Sequence, residues 1–178
     1  TVRRSATKMM NHVYLGGIVG FDNNANVITD CSNEGLVENT GAMGGKQLFI
    51  GGIAGGSKAA ASTFLGCTNK STAQLNCSAS ATYIHIGGIV GESGIAGDVI
   101  GTAEKPCNNE GTITNSGKSS NGSTNTVPNI ALGGLVGWGI SPSITKATNS
   151  GAITNTGGLS YDQNIITAGG IAGTLTGA

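Results

Sequence analysis

Gly16-Gly17-Ile18-Val19-Gly20 returns four more times, as Gly51-Gly52-Ile53-Ala54-Gly55, Gly87-Gly88-Ile89-Val90-Gly91, Gly133-Gly134-Leu135-Val136-Gly137 and Gly169-Gly170-Ile171-Ala172-Gly173. The first glycines stand at 16, 51, 87, 133 and 169, a period of about 36 residues with one interval longer by about ten. A unit this short cannot bury a face by itself, whereas like units stacked in register can, so the repeat sets the architecture before local propensity does.

The residues before each glycine pair give the local structure. Leu15, Ile50, Ile86, Leu132 and Ala168 precede it by one place, and Val13, Leu48, Ile84, Ile130 and Ile166 by three. Between these apolar columns lie Tyr14, Phe49, His85, Ala131 and Thr167, with His12, Gln47, Tyr83, Asn129 and Ile165 one place further out. This is the period of a strand with one buried face. The doubled glycines then either bend the strand or admit a neighbouring backbone where a Cβ would have no room.

A second motif follows the first four glycine pairs: Cys31-Ser32-Asn33-Glu34-Gly35, Cys67-Thr68-Asn69-Lys70-Ser71, Cys107-Asn108-Asn109-Glu110-Gly111 and Ala147-Thr148-Asn149-Ser150-Gly151. The shared Asn predicts a corner, because Asn tolerates left-handed backbone and a Gly or Ser follows two places on. Apolar Val37, Ala73, Ile113 and Ile153 then lead a strand away, followed two places later by Asn39, Leu75, Asn115 and Asn155. The expectation is an all-β parallel β-helix of four to five turns, each about 36 residues with three short strands. Two turns of about 18 residues per repeat is the alternative, and it would stack unlike side chains. Residues 1–11 read as an N-terminal segment or cap and 12–178 as one solenoid domain. With no initiator Met and a fifth repeat lacking its second half, the chain reads as part of a longer protein.

Composition narrows the function classes. The 178 residues include 32 glycines, only 4% are aromatic and 10% charged, and the formal net charge is zero. Many small repeated contacts must replace a core of large side chains, and nothing provides the row of cations that nucleic acid requires. No apolar run nears the ~18 residues of a spanning helix, and Thr1 to Met10 hold no signal core.

Few residues point to chemistry. Cys31, Cys67 and Cys107 share a column with Ala147, as small buried groups would, while Cys77 aligns with Gly41, Gly117 and Gly157 and reads as an outer-turn residue. No CxxC pair or His partner indicates zinc. His12 and His85 fall in outward columns and read as solvated. Glu34 and Glu110 share a position with Lys70 and Ser150, so no acidic row forms. The loop Asp22-Asn23-Asn24-Ala25-Asn26 is a weak calcium candidate without the glycine-aspartate nonapeptides of calcium-loaded rolls. Tyr14, Phe49, Tyr83 and His85 line one outward face and form the candidate ligand surface, since aromatics on a flat sheet can stack on sugars or on a partner's apolar patch. The segment Lys118 to Asn129 is the longest insertion and a second place for function.

The five glycine motifs, coupled to Cys/Ala-x-Asn-x-Gly, resemble the GLUG-type repeats of bacterial surface proteins from Val13 onward. Ser71 and Ala147 depart from the pattern by small substitutions. The resemblance implies a stalk or adhesive β-solenoid at the cell surface or secreted, with no catalytic residue or cofactor to carry over. The repeat columns themselves mark as structural positions Gly16, Gly17, Gly51, Gly52, Gly87, Gly88, Gly133, Gly134, Gly169 and Gly170, with Asn33, Asn69, Asn109, Asn149, Cys31, Cys67 and Cys107. Partners expected on this reading are a host or matrix glycan or protein, or further copies of the chain, without nucleic acid and without a membrane-spanning segment. The rival expectations are a self-assembling filament subunit and a glycan-binding or glycan-processing module, the enzyme among these opposed by the missing acidic cluster.

Overall fold

The computed structural model describes residues 1–6, 10–41, 43, 46–58, 60–119, 127–160 and 165–177. Every regular element among them is a β-strand, and all pairings are parallel and lie one repeat apart: Val13 pairs with Leu48, Leu48 with Ile84, Ile84 with Ile130 and Ile130 with Ile166. The chain is thus a β-solenoid with one turn per repeat, and the half-repeat alternative is excluded.

Each of the first four turns carries five short strands where three were expected, and the fifth has two among the described residues. In the first they are His12–Gly16, Val19–Asp22, Val27–Thr29, Ser32–Asn33 and Leu36–Asn39. Stacking them over the later turns builds five sheets, here termed leading, return, third, asparagine and closing. The glycine motif accounts for much of the difference, because its strand breaks at the pair and resumes two residues later in another sheet. Val2–Arg4 lies in register with Leu36–Asn39, so the N-terminal residues add a rung to the closing sheet.

The interior is divided. One apolar cluster, with Leu48, Ile50, Leu75, Ile84, Ile86 and Ile113 fully buried, fills the space between the leading and closing sheets. A second, with Ile53, Phe64, Ile89, Ile100 and Leu135, lies between the return and third sheets. Each such side chain contributes on the order of 2 kcal/mol by burial. Between the clusters the solenoid is pinched. A Cβ on Gly52 would lie 2.6 Å from Asn69 Cγ, so the second glycine of the pair exists to let the asparagine through. The third glycine serves another approach: a Cβ on Gly91 would stand 2.7 Å from Ile50 N, on the leading strand of the turn before.

The asparagines differ from expectation in what they do. None of Asn33, Asn69, Asn109 or Asn149 has a positive φ, whereas Asp30 (55°), Gly66 (61°) and Lys146 (50°), which directly precede the cysteine column, do. The left-handed corner falls three places earlier than predicted, and the asparagines serve through their side chains. Asn33 Nδ2 donates to Asn69 Oδ1 (2.8 Å), Asn69 to Asn109 (2.7 Å) and Asn109 to Asn149 (2.7 Å), a continuous amide ladder. Asn33, Asn109 and Asn149 use their second N–H on the carbonyl two residues on.

Repeat two is shifted from the sequence alignment. Leu75 pairs with Val37 and Ile113, and Cys77 with Asn39 and Asn115. A turn at Ser71-Thr72 inserts two residues after the corner. An even insertion preserves strand parity, so inward residues stay inward while every partner changes. Cys77 therefore lies in the first core cluster, 2% exposed, not at an outer turn.

Candidate functional site

The leading strand turns at the glycines and the return strand comes back beside it, so the two sheets enclose a wedge on the side facing away from the core clusters. The expected aromatic column stands there in register, Tyr14 beside Phe49, Phe49 beside His85, His85 beside Ala131. From the return sheet, Phe21, Gly56, Glu92, Trp138 and Thr174 form the facing column. Tyr14 stacks on Phe49 with ring centroids 4.9 Å apart and meets Phe21 at 4.5 Å; His85 lies 5.3 Å from Phe49 and 5.9 Å from Trp138. On the last rung, Thr167 and Thr174 are hydrogen bonded across the same gap at 2.8 Å.

The wedge is filled, and this corrects the picture of an open platform. Phe49 is 1% and His85 2% exposed, Tyr14 and Tyr83 are half-buried, and His12 alone of the two histidines is exposed. Alternation showed that these side chains leave the core, but not that the next strand would fold over them. The Lys118 to Asn129 insertion contributes as well: His85 Nε2 donates to the Pro128 carbonyl at 3.0 Å, which fixes the tautomer and leaves buried Nδ1 without a partner. Residues 120–126 of that segment lie outside the described residues. Burial lowers His85 to about 4, so the ring is neutral over the ordinary pH range.

Glu92 is the charged group of the wedge, 4% exposed, accepting from Tyr14 Oη at 3.2 Å and paired with Lys58 at 3.5 Å. Burial raises its pKa, opposed by Lys58, and burial together with the Glu92 charge raises that of Tyr14. The arrangement is a stacked aromatic seam with one buried carboxylate paired to a half-exposed lysine, and sequence reasoning missed Phe21, Glu92 and Trp138 because they sit in a sheet it had merged with the leading one.

The thiols stack as the repeat required. Cys31, Cys67, Cys107 and Ala147 belong to one core cluster, with Cys31 partly exposed and Cys67 and Cys107 fully buried. Their Sγ–H groups turn to backbone carbonyls, Cys67 to Ile28 at 3.4 Å and Cys107 to Phe64 at 3.2 Å, and the neighbouring Cys67 thiol together with burial pushes Cys107 up. Burial alone pushes Cys77 up to about 12, an inert core thiol.

At the corner between the return and third sheets, Asp22 and Asp98 share a buried network with Ser57, Ser62 and Ser93. Ser62 Oγ donates to Asp22 (2.8 Å), and Ser93 Oγ (2.6 Å) and the Ser62 N–H (2.7 Å) donate to Asp98. Asp22, the one carboxylate of the loop considered for calcium, also accepts from Asn24 N at 3.2 Å and from the Asn26 side chain, so its oxygens are engaged within the protein. Among the described residues no three His, Cys, Asp or Glu side chains converge on a metal site. No helix among them is long and apolar enough to cross a membrane.

No family model, curated protein or solved structure matches this chain. The likeness to GLUG-type repeats therefore rests on the motifs themselves.

Proposed function

We propose that this chain is a non-enzymatic spacer or adhesive segment of a cell-surface or secreted protein, whose length is set by the number of stacked rungs. The observation that supports it is the unbroken Asn33–Asn69–Asn109–Asn149 ladder inside five sheets that pair rung upon rung. Five rungs at ~4.8 Å rise roughly 20 Å, and a stack held by hydrogen bonds at every level resists collapse as a flexible linker of equal length does not. The test places one or two copies of the chain between an inert surface anchor and an epitope tag and measures antibody access to the tag. Access should increase with copy number and fall when Gly52→Val unfolds the stack. Equal access for folded and unfolded versions would refute the spacer reading.

A second reading, end-to-end association of copies, is favoured by the terminal rungs. Ile18 (48%), Phe21 (38%) and Val27 (66%) are exposed at one end, and Ile166 (38%), Ile171 (39%) and Leu175 (49%) at the other. Further rungs would cover them, whether from the same polypeptide or a second copy. Light scattering over a concentration series, with electron microscopy, should show growing end-to-end species. A constant monomer mass removes this reading and leaves the spacer reading intact.

A further inference from the structure

The closing sheet turns a polar face outward, away from both core clusters and from the aromatic wedge. On it lies a cavity of about 330 Å³, within the ~300–1,000 Å³ of small-molecule sites, formed over the second to fourth strands of that sheet. It is open to solvent and lined by Glu38, Gln74, Asn76, Thr112, Thr114 and Ser116, with Cys77 and Ser78 beside them. The pairing puts these groups in rows: Glu38 beside Asn76 beside Thr114, and Gln74 beside Thr112.

We propose that this groove binds a neutral saccharide. Glu38 is matched by Arg3 at 2.6 Å, so the one carboxylate is offset. Ser116 Oγ leans on the Cys77 carbonyl at 3.3 Å. Gln74, Asn76, Thr112 and Thr114 make no side-chain hydrogen bond among the described residues, which leaves two amides and two hydroxyls directed at the cavity mouth or its walls with capacity for a ligand. Amides and hydroxyls both donate and accept, as sugar hydroxyls do. No unpaired cation lines the groove to hold a phosphate, sulfate or nucleic acid, and no apolar wall would receive a lipid tail. Rows repeating at ~4.8 Å along the axis present equivalent groups to successive parts of an extended chain. Without an aromatic platform, binding rests on hydrogen bonds alone.

The inference uses this groove only and does not depend on the spacer reading. Its test is an NMR titration of the 178-residue chain with cellotetraose and maltotetraose, and with a heparin tetrasaccharide as the anionic control. The expected result is saturable shifts at the amides of residues 74–76 and 112–114 with a neutral probe. Asn76→Ala combined with Thr114→Val should weaken binding about fivefold or more, the equivalent of one lost net hydrogen bond, while Ser150→Ala, at the corner after the asparagine sheet, leaves it unchanged. Gln74→Ala, at an exposed position, repeats the test if the double variant unfolds. No saturable shift with either neutral probe, stronger binding of heparin, or equal affinity in the groove variants would overturn the proposal.

Discussion

The asparagine ladder and the aromatic wedge are both buried and both partly polar, yet they solve the problem of burial differently. In the ladder one residue type recurs on every rung, and each amide completes the hydrogen bonding of the next. In the wedge the column changes from Tyr14 through Phe49, His85 and Ala131 to Thr167, and His85 Nδ1 and Trp138 Nε1 are left buried without partners. A solenoid satisfies its interior cheaply where the sequence repeats. Where it varies, neighbouring sheets must supply the partner, and some groups go without.

The sharpest way to break this contrast is to remove the space the ladder occupies. Gly52→Val should cost about 4 kcal/mol or more, because the new side chain meets Asn69 and backbone that cannot retreat, and chemical denaturation would read the loss. If it were tolerated, the pinch would be an incidental feature. The wedge is tested by acid. His85 has its folded pKa lowered from 6.5 to about 4, so the unfolded chain binds the proton more readily; stability present above about pH 6.5 is lost as pH falls toward 4, by on the order of 3 kcal/mol. Glu92, raised by burial, works in the opposite direction, so the informative quantity is the difference between wild type and His85→Phe. The substitution should shrink the acid loss seen in thermal melts between pH 7 and 4.5, and equal losses would show that His85 is not responsible.

Cutting the ladder at its second rung comes next. Asn69→Ala removes one acceptor for Asn33 and one donor to Asn109 and should lower stability by about 2 kcal/mol. The smallest effect has the opposite sign. The column Asn39, Cys77, Asn115, Asn155 is a second ladder with a gap: Asn115 donates to Asn155 at 2.7 Å, while Asn39 Nδ2 has no partner opposite the thiol. Cys77→Asn should close it and raise stability by about 1 kcal/mol, measurable as a higher melting temperature. A loss instead would mean that the apolar contacts of the thiol outweigh a completed amide row.

The stacking of like on like could be read from the sequence because columns such as Leu15, Ile50, Ile86 and Leu132, or Cys31, Cys67 and Cys107, repeat with the chain. The expected aromatic column was also correct in register. Its burial could not be read, since alternation separates two faces of one strand and is silent on whether another sheet lies over the outer one. The five strands per turn were hidden because Gly-Gly does not say how sharply it bends, and the shift at Cys77 because two extra residues leave the apolar pattern in phase. Glu92 and the Pro128 carbonyl entered the wedge through contacts 78 and 43 residues long, for which a period of about 36 gives no signal. The saccharide groove had no trace in the sequence beyond ordinary strand polarity.

All the ladder bonds join residues 36 to 40 positions apart, so no rung is rewarded until a loop of that size has closed. The first closure is slow and uphill in entropy, whereas each later segment arrives at a finished edge with its hydrogen-bonding groups already set out. Folding should therefore resemble the growth of a small crystal: a lag while one pair of turns forms, then rapid addition from that seed in both directions.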